Sequence, residues 1–291
     1  MHSVLIVNPQ ASRVTEPLTS EVARALGVAD VLRTERAGHA TELVAASGAD
    51  RIYVFSGDGG FNEALNGSDG RAPLGFIPGG GTSVLPRALG LPSDPVEAAR
   101  RLAAGEVRRI SLGRANGRRF GFAAGIGLDA ELIRRMDARG RDETGRRPGD
   151  LVFAWTAVKT LAEHRMRFDA VLEIEGHGRA AFALVANADP YSYVGRFPLR
   201  LPRGARIDQG LDVIAPRSFK ARHLPGAVRY LLTGRTRIPL VVLRDENRIE
   251  IRSDQPLPLQ LDGEDVGDVT EAVFEAERDA VSVLVRQSSR S

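Results

Sequence analysis

Ile52-Tyr53-Val54-Phe55-Ser56-Gly57-Asp58-Gly59-Gly60-Phe61-Asn62-Glu63-Ala64-Leu65-Asn66-Gly67 is the stretch whose reading decides the fold. Its apolar, β-branched and aromatic opening predicts a buried strand. Three of the next five residues, Ser56 to Gly60, are glycines, and Phe61, Ala64 and Leu65 then recur at helical spacing. A strand that runs straight into such a turn and then into a helix points the turn's N–H groups and the helix N-terminus at one place, which favours a phosphate. Asp58 is the odd member, because a carboxylate beside a phosphate repels it unless a cation lies between them. It therefore reads as an organiser of magnesium, direct or through water. The plainer reading is an αβ turn with an aspartate cap.

Downstream, Leu74 to Ile77 is a second buried strand, and it feeds Pro78-Gly79-Gly80-Gly81-Thr82-Ser83 and the helical Val84 to Leu89. Two glycine loops at the ends of two strands of one sheet can grip a polyphosphate from both sides. Upstream, Val4 to Val7 is a strand, Thr19 to Leu26 a helix, Val31 to Arg33 a strand and Ala40 to Ala46 a helix. This β-α-β-α rhythm predicts an α/β domain with a doubly wound parallel sheet, which binds ligands beyond the carboxyl ends of its strands. Neither G-x-x-x-x-G-K-[ST] nor G-x-G-x-x-G occurs, so no P-loop or dinucleotide fingerprint applies.

After the helix Asp94 to Ala104 the pattern changes to strands: Arg119–Ala124, Phe168–Ile174, Ala180–Val185, Leu211–Ala215, Ile238–Leu243, Arg248–Ile251, Leu257–Leu261, Ala272–Glu275 and Val281–Val285. They predict a β-rich antiparallel second domain, interrupted by helices near Leu151–Glu163 and Ala221–Leu232. Arg134 to Gly149, a stretch rich in arginine and glycine, has no apolar periodicity and reads as a mobile loop. The expected division is 1–110 for the α/β domain and 111–291 for the β-rich domain, with the boundary near Val107 to Leu112.

A chain of 291 residues with 43% hydrophobic content suits two domains. The net charge is +3, and Lys159 and Lys220 are its only lysines beside many arginines. The absence of cysteine excludes disulfides, Cys-ligated zinc and thiol nucleophiles. No apolar run reaches membrane-spanning length, and Met1-His2-Ser3-Val4 lacks the features of a signal peptide, so the expected location is cytoplasmic. No nucleic-acid partner is expected, and the oligomeric state is left open.

The pair of loops, SGDGGFNEALNG and LGFIPGGGTSVLPRALGLP, resembles the diacylglycerol kinase catalytic-domain family, whose pattern is GGDGT-x-x-E-x-x-N-G, a strand, then P-x-G-T-x-N-D-x-A-R-x-L-G. Val7-Asn8-Pro9, the segment Thr34 to Thr41, Gly125-Ile126-Gly127-Leu128-Asp129 and Leu261-Asp262-Gly263-Glu264 are similar to further family segments in the same order. The resemblance implies an NAD-kinase-like α/β half and a β-rich half with Mg-ATP in an inter-domain cleft, and transfer of its γ-phosphate to a lipid hydroxyl, foremost that of diacylglycerol. It implies that Asn8 and Thr34 lie near the nucleotide, that Ser56, Gly57, Asp58, Gly59, Gly60, Gly79, Gly80, Gly81 and Thr82 lie near its phosphates, and that Asn62 and Glu63 open the helix behind the loop. It makes Asp58 and Asp129 the metal candidates. The departures are Gly60 and Gly81 where the family has threonine, Ser83-Val84 where it has Asn-Asp, and Gln209 in a segment that often carries a metal-binding acid.

Phosphoryl transfer also needs a carboxylate beside the attacking hydroxyl. Asp262, with Glu264 beside it, is the expected base, and Asp58 is its rival. In a strand, 262 and 264 share a face, which would bring two carboxylates together; the alternative is an exposed Asp-Gly hairpin turn. Contact with a membrane surface is expected from 218–235, where Phe219, Leu224, Val228, Leu231 and Leu232 lie among Lys220, Arg222, Arg229 and Arg235, and from 134–147 as a site for anionic headgroups. A kinase for a sphingoid base or for NAD, and a nucleotide-binding regulator without catalysis, are the competing expectations.

Overall fold

The computed structural model describes residues 2–140, 150–194 and 197–287. The chain forms two compact units: one holds the residues up to Leu112 together with those from Arg278 onward, and the other lies within Gly113 to Glu277.

In the first unit the elements alternate: β1 (Ser3–Val7), α1 (Glu16–Leu26), β2 (Asp30–Arg33), α2 (His39–Ala46), β3 (Arg51–Ser56), α3 (Asp58–Gly67), β4 (Leu74–Pro78), α4 (Val84–Ala88) and α5 (Pro95–Ala103). The strands pair in parallel in the order β2-β1-β3-β4. Alternation along the strands sorts the side chains by face. Leu5, Val7, Tyr53, Phe55 and Ile77 pack with Val22 of α1 and with Ala99 and Leu102 of α5. On β4, Phe76 meets Phe61 of α3 edge-on, with ring centroids 5.3 Å apart. The helix ends follow local chemistry. Thr15 accepts the Leu18 N–H ahead of α1, Gly27 closes it at φ 70°, and Asp94 accepts the Glu97 N–H ahead of α5.

The second unit carries the rest: β5 (Glu106–Ala115, which begins in the first unit), β6 (Arg118–Phe120), β7 (Ala123–Ile126), α6 (Leu128–Asp137), α7 (Asp150–Glu163), β8 (Arg167–Phe168), β9 (Leu172–Ile174), β10 (Gly178–Ala180), β11 (Ala183–Ala186), β12 (Ser192–Val194), β13 (Phe197–Leu199), β14 (Leu211–Pro216), β15 (Phe219–Lys220), α8 (Leu224–Thr233), β16 (Leu240–Glu246), β17 (Arg248–Leu261) and β18 (Glu264–Val285). Strands β16-β14-β11-β7-β17-β18 run antiparallel. Phe120, Ile126, Val185, Val213, Ile251, Leu259 and Phe274 are part of one buried cluster.

Two expectations need correction. The second domain does not run to 291: the end of β18 pairs Val283 in parallel with Leu74 of β4, so Val281–Val285 completes the first unit's sheet. Residues 134–137, expected in a loop, end helix α6, which buries Ala130 and Met136 and carries acids in its first turn and arginines in its last. Of the rest of the expected loop, 138–140 follow the helix and 141–149 lie outside the described residues.

Candidate active site

The carboxyl ends of β1, β2, β3 and β4 carry most of the expected nucleotide residues of the first unit. Ser56 ends β3 opposite Pro78, the last residue of β4, and the Gly79 N–H donates to the Ser56 carbonyl at 2.7 Å. A Cβ on Gly80 would stand 2.8 Å from the Gly57 Cα, and one on Gly79 would stand 3.0 Å from the Ser56 carbonyl oxygen. The two loops are therefore seated backbone against backbone, as the sequence pattern anticipates. At Gly81 a side chain would meet nothing within 4 Å, so packing does not demand its glycine; Gly81 and Thr82 are exposed.

Asp58 links the loops. Half-buried in the first turn of α3, it accepts the Val84 N–H on Oδ1 at 2.7 Å, which brings the start of α4 to the start of α3. Ser83, just before, has φ 48° and is 3% exposed, a left-handed conformation that costs a non-glycine residue free energy. Gly60 is closed from below: a Cβ there would lie 2.1 Å from Ser56 Oγ. Ser56 is 1% exposed, and its hydroxyl has no hydrogen-bond partner among the described residues.

Asn8 and Thr34 flank this edge. The Asn8 N–H donates to the Phe55 carbonyl at 3.0 Å and the Thr34 N–H to the Val7 carbonyl at 2.9 Å, while Asn8 Oδ1 accepts the Gln10 N–H. Gly57 and Gly59 are half-buried in the turn itself. Asn62 and Glu63 are placed differently. Asn62 is 1% exposed and accepts from Asn66 within α3. The Glu63 carboxylate accepts the Gly38 N–H at 2.8 Å and the Ala40 N–H at 3.1 Å, so it caps α2, whose N-cap Gly38 offers no side chain.

In the second unit, Asp262 and Gly263 form the two-residue turn between β17 and β18, with Leu261 paired to Glu264. Both have positive φ, 50° and 81°, as a type I′ hairpin requires. Residues 262 and 264 therefore do not share a strand face, and the strand geometry behind a carboxylate pair is absent. Glu264 instead meets Arg118 at 2.7 Å. Nor is the turn exposed, because Asp262 is 4% accessible. Its carboxylate accepts the N–H groups of Gly121, Phe122 and Ala123 at 2.6, 2.9 and 3.1 Å, which leaves at most one of about four lone-pair sites for a substrate proton.

Asp129 lies under that turn's neighbour. Its Oδ2 accepts from the Tyr191 hydroxyl at 2.7 Å and from Gln260 Nε2 at 2.8 Å, while Gln260 Oε1 accepts the Gly263 N–H at 2.8 Å. A Cβ on Gly125 would stand 2.2 Å from the same carboxylate oxygen, so glycine makes the room for it. Burial pushes the Asp129 carboxyl up, against the hydrogen bonds from Tyr191 and Gln260. Hydrogen-bond donors converging on a carboxylate do not make a magnesium ligand set, and no group of three or more His, Cys, Asp or Glu suited to a metal occurs among the described residues. Of the two expected metal candidates, Asp58 is the one that stands half-buried at the two loops. Gln260 was not legible as part of a site; its role depends on partners 69 and 131 residues away.

Against known proteins, residues 2–115 match the model of the diacylglycerol kinase catalytic domain. A diacylglycerol kinase of Bacillus subtilis (strain 168) is 28% identical over 236 residues, which is 78% of this chain and 75% of that protein. One from Staphylococcus saprophyticus is 37% identical over 99 residues, 32% of each. Among solved structures, a diacylglycerol kinase of Bacillus anthracis superposes with TM-score 0.70 at 22% identity, covering 98% of this chain and 97% of that one. An NAD kinase of Archaeoglobus fulgidus superposes with TM-score 0.52 at 14% identity, covering 98% and 94%. Residues 2–115 are thus similar to the diacylglycerol kinase catalytic domain, and the chain as a whole is similar to proteins named diacylglycerol kinase.

Proposed function

We propose that this lipid kinase transfers the γ-phosphate of ATP, with magnesium, to the hydroxyl of diacylglycerol. One observation carries the reading: two glycine loops end adjacent parallel strands, lie backbone against backbone, and are joined by Asp58 at the N-terminus of a helix. N–H groups and a helix dipole gathered at one point stabilise an anion, and the lack of Cβ atoms lets it come close. The ATP complex of the Archaeoglobus NAD kinase, a protein of similar fold, supports adenine nucleotide as the donor. The names of the relatives support diacylglycerol as the acceptor.

In this reading the N–H groups of Gly57 to Gly60 and Gly79 to Thr82 hold the polyphosphate, and Asn8 and Thr34 border the nucleotide. Asp58 would hold the magnesium ion, which when bound neutralises phosphate charge. Asp262 is proposed as the carboxylate that receives the hydroxyl proton. Its three N–H donors fix its position, as a group acting late in a loose transition state requires.

The test is a thin-layer assay with labelled ATP and magnesium, offering diacylglycerol, a sphingoid base and NAD in parallel. Labelled phosphatidic acid is the expected product. Asp58→Asn, which keeps an acceptor for the Val84 N–H, should lower kcat/KM on the order of 100-fold, the scale of removing one transition-state stabilising group. Label in NADP with none in lipid would overturn the reading.

A further inference from the structure

We infer that α7, α8 and Phe197 at the start of β13 form a docking face for a bilayer that carries anionic headgroups. Among the described residues, most of the exposed large hydrophobic side chains belong to α7, β13 and α8: Trp155 is 62% exposed, Val158 58%, Phe197 78%, Val228 53%, Leu231 38% and Leu232 75%, with Val107 and Val242 exposed elsewhere. Helix α7 places polar side chains inward and apolar ones outward at four described positions. It buries Thr156 and Thr160, at 2% and 0%, and presents Trp155 and Val158, three residues apart, to solvent. Helix α8 buries none of its residues, and Val228, Leu231 and Leu232 fall at i, i+3 and i+4, one face of a helix. Apolar side chains left in water forgo the favourable transfer that burial gives, so these positions gain when something apolar covers them.

These elements are joined within the second unit. From α7 the chain enters β8, which pairs with β15 just ahead of α8, and Phe168 and Phe219 of that ribbon meet Phe182 at steep ring angles, with ring centroids 6.1–6.4 Å apart. Arg203, four residues after β13, donates to the Leu231 carbonyl. Charge selects the occupant. From Ser218 to Leu243 the sequence contains no acidic residue but has Lys220, Arg222, Arg229, Arg235 and Arg237. A second copy would set basic face against basic face. An anionic bilayer instead attracts each Lys or Arg near its surface, besides covering the apolar side chains.

The inference deepens the lipid-kinase reading, and a binding experiment separates the two. The full chain is sedimented with phosphatidylcholine vesicles, with and without phosphatidylglycerol. Binding is expected to the anionic vesicles, falling with salt, with a blue shift of Trp155, the chain's one tryptophan. Leu232→Glu and Phe197→Glu should each weaken binding at least about tenfold, as an apolar anchor becomes a charge of the membrane's own sign. Leu232→Glu should keep its rate on a dispersed short-chain diacylglycerol while losing it on vesicle-embedded substrate. Vesicle binding by wild type that neither variant weakens would overturn the inference, and so would no binding at low salt, or a dimer in light scattering that Leu232→Glu dissolves. If wild type binds vesicles but phosphorylates no lipid in either form, the activity reading fails and the docking face stands.

Discussion

At the scale of single residues, Ser56, which stands where the GGDGT pattern opens with glycine, and the departure at Gly60 explain each other. A Cβ on Gly60 would fall 2.1 Å from Ser56 Oγ and 2.8 Å from its Cβ, so a threonine after the GDG turn requires a smaller residue at 56. Gly60→Thr should destabilise the chain by about 1–3 kcal/mol through overpacking. Ser56→Gly combined with Gly60→Thr should recover more than the sum of the single variants, a coupling on the order of 0.5–3 kcal/mol read from urea denaturation. Additive effects would mean that the two positions are independent. Gly81, with open space around its Cβ direction, is a contrast: Gly81→Thr should leave stability within about 0.5 kcal/mol of wild type, because exposed positions away from special contacts are tolerant.

Between elements, carboxylates do much of the joining. Glu63 of α3 holds the N-terminus of α2 by two N–H bonds, and Glu63→Ala should cost about 1.5–3 kcal/mol in chemical denaturation, the range for hydrogen bonds to a charged group. In the second unit Arg134 of α6 donates to Asp265 of β18 at 2.7 and 3.0 Å. The guanidinium holds the Asp265 carboxyl below the ordinary aspartate range, burial working against it and the Gly267 N–H adding to it. A carboxyl depressed by folding contributes stability above its unfolded-state pKa and loses it as pH falls through the folded value. Asp265→Asn should therefore show a shallower fall of melting temperature on acidification than wild type. The same ion pairs engage the arginines expected to meet lipid headgroups: Arg134 also reaches Asp268, and Arg135 reaches Glu131 and Glu163.

For the whole molecule, the chain's end is part of its beginning. Leu284 is fully buried among Leu5, Phe55 and Ile77, and its neighbour Val283 pairs with Leu74 of β4. Leu284→Ala should destabilise the first unit by about 2–5 kcal/mol, the range for truncating a core leucine, and should weaken nucleotide binding measured by calorimetry although no phosphate contact is touched. Unchanged stability would place the C-terminal strand outside the core. No described helix is long and apolar enough to cross a membrane.

Much of this was local and therefore legible in the sequence. Ile52 to Phe55 and Leu74 to Ile77 read as strands because every position is apolar, and the glycines after each strand mark where the backbone must come close to another group; both readings need only neighbours in the chain. The antiparallel character of the second domain followed from alternation and turn residues in the same way. Three features depended on partners far off in sequence. The Asp262-Gly263 turn became a buried anchor because the N–H groups of residues 121 to 123 converge on it. Asp129 became a hydrogen-bond acceptor under Tyr191 and Gln260. The last strand left its antiparallel partner to join a parallel sheet. A carboxylate carries the same charge wherever it stands, and only the folded chain decides whether a proton, a cation or an amide meets it.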